Sequence, residues 1–234
     1  MNTELDFVKE MFDRIAPRYD FLNRLLSFRQ DTVWRTQMVQ AACLTKNSSV
    51  LDVACGTCDV ALEASSQLKG AASIIGLDFS FGMLALGKQK LQKKKNTTIQ
   101  LLNADALFLP FRAGLFDAVF IAFGIRNIMD RQRAVESFHA CLKKGGRLVV
   151  LELTTPDKGF FRSLYLFYFK KILPVIGSFF SKHHNAYSYL PESVLNFPTP
   201  VEFSALMAQA GFRQVRFKQM TFGIVTLFVG QKNR

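Results

Sequence analysis

No stretch of this chain offers the ~18 consecutive uncharged apolar residues that a helix needs to cross a bilayer, so no transmembrane span is predicted. Nor does Met1 to Phe12 read as a secretory leader, because Glu4, Asp6 and Glu10 interrupt it. Cysteine is scarce: four copies in 234 residues suggest no disulfide framework, and reduced thiols in a cytoplasm are the expectation. Acidic residues are the minority, 18 against 30 basic ones, which leaves a formal charge of +12. Such a surplus suits nucleic acid or anionic lipid headgroups, with solvated helix faces as the plain alternative. The cluster Lys88, Lys90, Lys93, Lys94 and Lys95 reads as such a face, the exposed end of a helix. Tryptophan occurs once and tyrosine five times, yet phenylalanine occurs 24 times, an excess that a greasy substrate or a membrane surface would explain. With 49% of residues hydrophobic, disorder is excluded, and the length suits one domain, residues 1–234.

Residues 1–44 read as a helical cap, with apolar positions at three- and four-residue spacing from residue 5 and Pro17 as the break. Over residues 45–152, short apolar runs alternate with helices of about 12 residues. Strands are predicted at 49–54, 73–77, 99–102, 116–121 and 147–151, and helices at 58–69, 81–95 and 131–142. This rhythm predicts an α/β fold of Rossmann-like type, a mostly parallel sheet covered on both faces. Residues 153–199 interrupt it as a hydrophobic insertion. Its segment 160–174 is aromatic on nearly every side, and Arg162, Lys170 and Lys171 make it too charged to span a bilayer. It reads as an interfacial helix, a lid over a pocket, or a helix packed into the body of the fold. Residues 200–234 predict a helix to about 210 and then two β runs, 214–218 and 222–230. The link between the runs is too short for a crossover, so one of them lies antiparallel.

In open α/β sheets, ligands bind beyond the carboxyl ends of the strands, where strand order reverses. The first strand runs into Asp52-Val53-Ala54-Cys55-Gly56-Thr57-Cys58-Asp59. The second ends at Asp78, 26 residues after Asp52, where a carboxylate can accept both hydroxyls of a ribose. The third ends at Asn103-Ala104-Asp105-Ala106, placed to meet an adenine ring. A dinucleotide needs several glycines for backbone to approach a pyrophosphate, and this loop keeps only Gly56. S-adenosylmethionine carries no phosphate and suits the acidic, glycine-poor site better. Thr57 and backbone groups around Gly56 are expected to hold its nucleoside or amino-acid tail, with Asp52 orienting the loop. A rival is redox chemistry at Cys55-Gly56-Thr57-Cys58, a Cys-x-x-Cys between strand and helix. The long βαβ series and the lack of a preceding tryptophan oppose it. Zinc is weaker, since Cys43 and Cys141 lack paired spacing, and no metal is expected.

Several separated motifs resemble the ubiquinone/menaquinone biosynthesis C-methyltransferases, within the class I methyltransferases. They are Tyr19-Asp20-Phe21-Leu22-Asn23 with Leu26-Ser27 and Trp34; Phe123-Gly124-Ile125-Arg126-Asn127; Leu142 to Leu148 through Glu152; Tyr187-Ser188-Tyr189-Leu190 with Ser193 and Phe197-Pro198; then Gly211-Phe212 and Gly223-Ile224. The chain departs from that pattern at Cys55 and Cys58, where glycine is usual, at Asp31, where histidine is frequent, and at Ala122, where serine is common. A non-glycine residue is strained at either cysteine position if it needs φ > 0.

The resemblance implies Thr57, Asp78, Asp105 and Ala106 as cofactor contacts. It also implies methylation of a polyprenylated demethylquinol, most simply demethylmenaquinol to menaquinol, by an enzyme in the cytoplasm that touches the inner face of the membrane. A benzoquinol ring and, from the +12 charge, an RNA substrate are the alternatives; no Asn-Pro-Pro-Tyr or Asp-Pro-Pro-Tyr motif favours the latter, and no nucleic acid is expected as partner. On this reading Arg126 stabilises the ring oxyanion as a fixed charge, Asn127 hydrogen-bonds the second ring oxygen, and Tyr19 or Asp20 takes the proton. His139, His183 and His184 carry no assigned role.

Overall fold

The computed structural model describes residues 3–156, 159–167 and 185–233. Its centre is a seven-stranded sheet of β1 (Ser49–Val53), β2 (Ser73–Asp78), β3 (Ile99–Asn103), β4 (Phe116–Ala122), β5 (Leu142–Leu153), β6 (Arg213–Met220) and β7 (Val225–Gln231). The order across the sheet is β3-β2-β1-β4-β5-β7-β6. Neighbours from β3 to β5 pair in parallel, while β7 runs antiparallel to both β5 and β6. The Thr221–Gly223 turn that joins β6 to β7 is too short to hold a crossover helix, as the sequence spacing requires. Strand order reverses between β1 and β4, which opens a crevice at their carboxyl ends.

Alternation along β1 assigns the two faces. Val50 packs with α2 (Gln30–Ala41), α3 (Asp59–Gln67) and α4 (Phe81–Lys93), whereas Leu51 and Val53 pack with α5 (Arg131–Cys141) and α8 (Pro200–Gln209). Helix starts are set locally. Ser80 accepts from Met83 N–H at the start of α4, Asp130 from Arg133 N–H at α5, and Thr199 with Glu202 forms a capping box before Pro200 at α8. Between β5 and α8 the described elements are α6 (Phe160–Phe167) and α7 (Asn185–Leu195). Part of the aromatic segment 160–174, with Lys170 and Lys171, and also His183 and His184, lies outside the described residues.

Two differences from the sequence expectation stand out, beyond shifts of up to three residues at other ends such as the start of β7 at Val225. Helix α1 (Thr3–Leu26) runs through position 17 unbroken, and the chain turns instead at Phe28 and Arg29, whose φ values are 50° and 63°. A proline inside a helix removes one donor and strains one turn, but α1 is tied to α4 on both sides of it. Asp13 accepts from Ser80 Oγ at 2.5 Å and Gly82 N–H at 3.0 Å, and Asp20 pairs with Lys90 at 2.5 Å. Strand β5 begins at Leu142 rather than Arg147, because Gly145 at φ 79° forms a register shift within the strand instead of a turn before it.

Of the two cysteines in the loop after β1, Cys58 sits in left-handed backbone at φ 71° and Cys55 does not; Ala54 is left-handed too, at φ 51°. Cys58 is wholly buried, and its Sγ stands 2.6 Å from where a Cβ on Gly87 of α4 would be. Ala normally gains about 0.5–1 kcal/mol over Gly inside a helix, but overpacking here costs about 1–3 kcal/mol. Gly87→Ala is therefore expected to lower stability in urea denaturation, and Cys58→Gly in the same chain to restore it. Additive losses from the two changes would refute this coupling.

Candidate active site

At the switch point lies a pocket of about 880 Å³, counting the space open at its mouth. Its floor is the tips of β1, β2 and β3: Gly56, Asp78, Phe79, Ala104, Asp105 and Ala106. Its wall is the segment after β4, namely Ala122, Phe123, Gly124, Asn127, Ile128 and Met129. Helix α1 supplies the roof through Val8, Phe12 and Tyr19. Gly124 allows the two loops to meet, since a Cβ there would lie 2.7 Å from Cβ of Ala54. The sequence reading anticipated a helical cap with Tyr19 and quoted Phe123 to Asn127, but it did not single out Val8, Phe12, Ile128 or Met129, whose only signal was apolar character next to those motifs.

Asp78 organises the floor. Its Oδ2 accepts from Gly56 N–H at 2.7 Å and its Oδ1 from Ser80 N–H at 2.9 Å. Gly56 adopts φ 52°, which a side chain would strain. Burial pushes the Asp78 carboxyl up to about 6, against the pull of its backbone hydrogen bonds. Each oxygen keeps acceptor capacity beyond its backbone bond, which suits a pair of ribose hydroxyls. Asp105 folds its own loop, Oδ1 accepting from Leu107 N–H at 2.9 Å. Asn103 braces the tip by donating to the carbonyls of Asp78 and Phe79.

Asp52 and Thr57 lie behind the pocket rather than in it. Asp52 is buried in β1 and accepts from Ala61 N–H at 3.1 Å, holding the first turn of α3 against the sheet. Burial pushes its carboxyl up to about 8. It anchors the start of α3 and does not reach the floor. Thr57 Oγ1 donates to Asp20 Oδ1 at 2.5 Å and accepts from Lys90 Nζ at 2.9 Å. Lys90 in turn pairs with Asp20 and with Asp59 at 2.7 Å. This lysine is no solvated member of a surface run; it latches the roof to α4 and the cofactor loop. Asp20, with both oxygens engaged in that latch, is not placed to take a proton in the pocket. Asp31, another departure from the family pattern, is buried in a pair with Arg35 and accepts from Ser27 Oγ at 3.0 Å.

Arg126 also differs from expectation. It does not line the pocket: Nη1 donates to Glu152 Oε1 at 2.8 Å and to the Phe123 carbonyl at 2.5 Å, and its backbone N–H reaches Glu152 Oε2 at 3.2 Å. Glu152 is wholly buried, so the guanidinium neutralises a charge that has no water. Burial opposes the Arg126 charge, yet the Glu152 carboxylate holds its pKa above the ordinary value. Asn127 does line the pocket, its Oδ1 accepting from Tyr189 OH of α7 at 3.1 Å. Tyr19 lines it too. Burial raises the phenol's pKa, while a hydrogen bond with Asn23 and the charges of Arg126 and Arg35 pull it part of the way back.

The Cys-x-x-Cys pair is two buried free thiols. Their mutual hydrogen bond and burial push Cys55 well above the usual thiol range, the reverse of what a reactive thiolate requires. Among the described residues no group of three or more metal-ligating side chains gathers. Removing Arg126 leaves Glu152 charged and buried, so Arg126→Ala is expected to lose about 3–5 kcal/mol of stability. Urea denaturation checks this. A variant as stable as the parent, with only turnover reduced, would return Arg126 to a direct role at the substrate.

Comparison with known proteins agrees with the motifs. A model of the ubiE/COQ5 methyltransferase family matches residues 1–232. A ubiquinone/menaquinone biosynthesis C-methyltransferase UbiE from Geotalea uraniireducens is 48% identical over 226 residues, 96% of either chain. The demethylmenaquinone methyltransferase of Thermus thermophilus is 46% identical over 95% of this chain and 100% of its own, and that of Staphylococcus carnosus 38% identical over 99% and 95%. Among solved structures, a SAM-dependent methyltransferase of Thermotoga maritima superposes with a TM-score of 0.63 at 21% identity, covering 96% of this chain and 99% of its own. Phosphoethanolamine N-methyltransferase 2 of Haemonchus contortus, solved with S-adenosyl-L-methionine, gives 0.64 at 16% identity over 85% and 53%. At such identities the structures speak to the fold, which is that of these methyltransferases. The match along nearly the whole sequence carries the family: this chain belongs to the ubiE/COQ5 methyltransferases.

Proposed function

We propose that this enzyme transfers a methyl group from S-adenosylmethionine to a ring carbon of a polyprenylated demethylquinol, demethylmenaquinol to menaquinol. The observation that carries this is the division of the pocket. Its strand-tip floor presents Asp78, Asp105 and Gly56 to a nucleoside, and its roof and wall are apolar except for Tyr19 and Asn127. The names of the Thermus and Staphylococcus relatives favour the naphthoquinol ring. An apolar wall suits a greasy ring better than an RNA base, which seeks stacking and hydrogen-bonding edges.

The residues present fit the cofactor. Asp78 would accept the ribose hydroxyls, and Asp105 with Ala106 would flank the base. When bound, S-adenosylmethionine supplies an electrophilic methyl group. The protein's own task is to make the ring carbon nucleophilic, which requires a phenolic proton with pKa ~10 to leave. Asn127 has its oxygen held by Tyr189, so its amide N–H is the end that meets a ring oxyanion. Tyr19, a neutral phenol whose pKa burial raises further, donates to that oxyanion or relays its proton to solvent at the open mouth, and the ring C–H proton freed after methyl transfer returns to the oxygen. Arg126 acts at a distance, through its field on Tyr19 and its hold on the Phe123 carbonyl. The roof and wall exclude water, which strengthens each of these contacts. A substrate with a prenyl tail resides in a bilayer, so the enzyme works in contact with a membrane surface; among the described residues no helix is long and apolar enough to cross one.

Mass spectrometry of isoprenoid quinones from cells with and without this protein is expected to show the demethyl form accumulating on its loss; an unchanged quinone profile would overturn the assignment. In purified enzyme, Tyr19→Phe and Asn127→Ala should each lower kcat, by about 100-fold for the proton-transferring group, with cofactor affinity unchanged. Asp78 must be ionised to accept two hydroxyls, and its pKa is about 6. Cofactor affinity measured by calorimetry should therefore weaken as pH falls through 6. Asp78→Asn should bind weakly at every pH, and a variant that keeps the parent's pH profile would remove Asp78 from the site.

A further inference from the structure

The two ends of the sheet differ in charge. Strands β1 to β6 run one way and β7 runs against them, so six amino ends and the carboxyl end of β7 share the end away from the pocket. The connections there, 42–48, 68–72, 94–98, 112–115, 143–146, 210–212 and 232–233, contain no Asp or Glu. They do contain Lys46, Lys69, Lys94, Lys95, Arg112 and Lys144. Each of these is exposed, and none makes a side-chain ion pair or hydrogen bond among the described residues. Asp117, near the start of β4, is already held by Lys143 Nζ at 2.7 Å and Ser49 N–H at 2.7 Å. Further back, Glu63 of α3 is engaged by Thr36 and Glu136 of α5 by Gln132.

The cations form one row. Asn47 N–H reaches the Ala71 carbonyl at 2.8 Å, which sets the Lys46 turn beside Lys69. Asn96 Nδ2 and Thr98 Oγ1 both meet Ser65 Oγ, at 2.8 and 3.1 Å, which sets Lys94 and Lys95 on the other side of it. Asp117 joins the start of β1 to Lys143, next to Lys144. Strand spacing spreads the row over about 30 Å. Helix C-termini favour cations near their last turn, which accounts for Lys94 and Lys95 behind α4. Lys46 stands well past the end of α2 at Ala41, and Arg112 lies between β3 and β4 with no helix before it. Helix dipoles therefore do not explain the row.

We propose that this end of the sheet docks the acidic face of a partner protein. Unpaired ammonium groups on long stems meet Asp and Glu side chains at arm's length. A nucleic acid fits less well: phosphates favour helix N-termini and backbone N–H groups, whereas α2, α3, α4, α5 and α8 all turn their carbonyl ends to this row. No large apolar side chain is exposed in these connections, so nothing stacks on a base or enters a bilayer. The contact is one of charge, fast to form and weakened by salt. Because the pocket lies at the opposite strand ends, a partner held here leaves its mouth open.

The test is fluorescence anisotropy of labelled poly-L-glutamate with the full chain, beside a short DNA duplex and phosphatidylglycerol vesicles, over a range of salt. Lys46→Glu/Lys69→Glu/Lys95→Glu reverses the row, and Lys9→Glu/Lys88→Glu/Arg216→Glu makes the same change of charge at exposed, unpaired cations elsewhere. Both should melt at about the parent's temperature. The first should bind poly-L-glutamate about tenfold or more weakly and with less dependence on salt, the second within about threefold of the parent. Equal losses in the two overturn the proposal, since net charge alone would then be at work. So does tighter binding of the duplex or the vesicles than of poly-L-glutamate through the same lysines, or self-association that the first variant abolishes. Turnover of a short-tailed demethylnaphthoquinol should match the parent's in the first variant. A chain that binds through this row yet methylates no quinol would sustain the docking end and sink the proposed function.

Discussion

At the carboxyl end of β2, Asp78 takes one hydrogen bond from Gly56 N–H at 2.7 Å and another from Ser80 N–H at 2.9 Å. One buried carboxylate thereby ties the loop after β1 to the start of α4, and both flank the crevice where strand order reverses. Withdrawn from water, it is held by backbone donors that cannot move without unfolding a strand end or a helix start. The remaining floor is aligned to it: Asn103 grips the carbonyl of Asp78 itself, and Asp13 of the roof meets Ser80. The group that would read a ribose is thus also the group that gives the pocket its shape.

The roof depends on charge where the floor depends on the sheet. Helix α1 lays Val8, Phe12 and Tyr19 over the cavity, and polar ties at Asp13 and Asp20 hold it to α4. Lys90, Asp20, Asp59 and Thr57 form one partly buried network, joined through Asp59 to Arg35 and Asp31. Such networks add little to stability when exposed, but partial burial makes each member depend on the others. The wall follows the same logic: Arg126 and Glu152 form a neutral buried pair that holds Phe123 at φ 57° against the cavity. An arginine already satisfied brings no positive charge into the pocket, so the proposed oxyanion contact is assigned to the neutral donors Tyr19 and Asn127.

The departures from the family's glycine pattern are absorbed unequally. Cys55 needs no unusual backbone, and Gly76 leaves it room, its notional Cβ lying 3.0 Å from the Cys55 Sγ. Cys58 is strained at φ 71° and is accommodated only because Gly87 of α4 has no side chain. The phenylalanine excess divides in a similar way. Phe116, Phe120, Phe138, Phe203, Phe212 and Phe228 fill the core, whereas among the described residues seven others are exposed, two of them, Phe28 and Phe222, in left-handed backbone.

From the amino-acid order alone came the strands and helices around the sheet, the single reversed strand, and the three strand tips that carry Gly56, Asp78 and Asp105. These follow from period, from the reach of a short turn and from residue types at strand ends, all of which act over a few residues. The family motifs pointed to Tyr19 and Asn127, both of which line the pocket. What Arg126, Lys90, Asp20 and Thr57 do was decided by partners brought together from distant parts of the chain, Glu152 being 26 residues from Arg126 and Thr57 being 37 from Asp20. The same holds for the helix that did not break at Pro17, since its ties to α4 outweigh the lost donor. No local pattern states which charge will meet which, because burial and folding, rather than spacing, choose the pair.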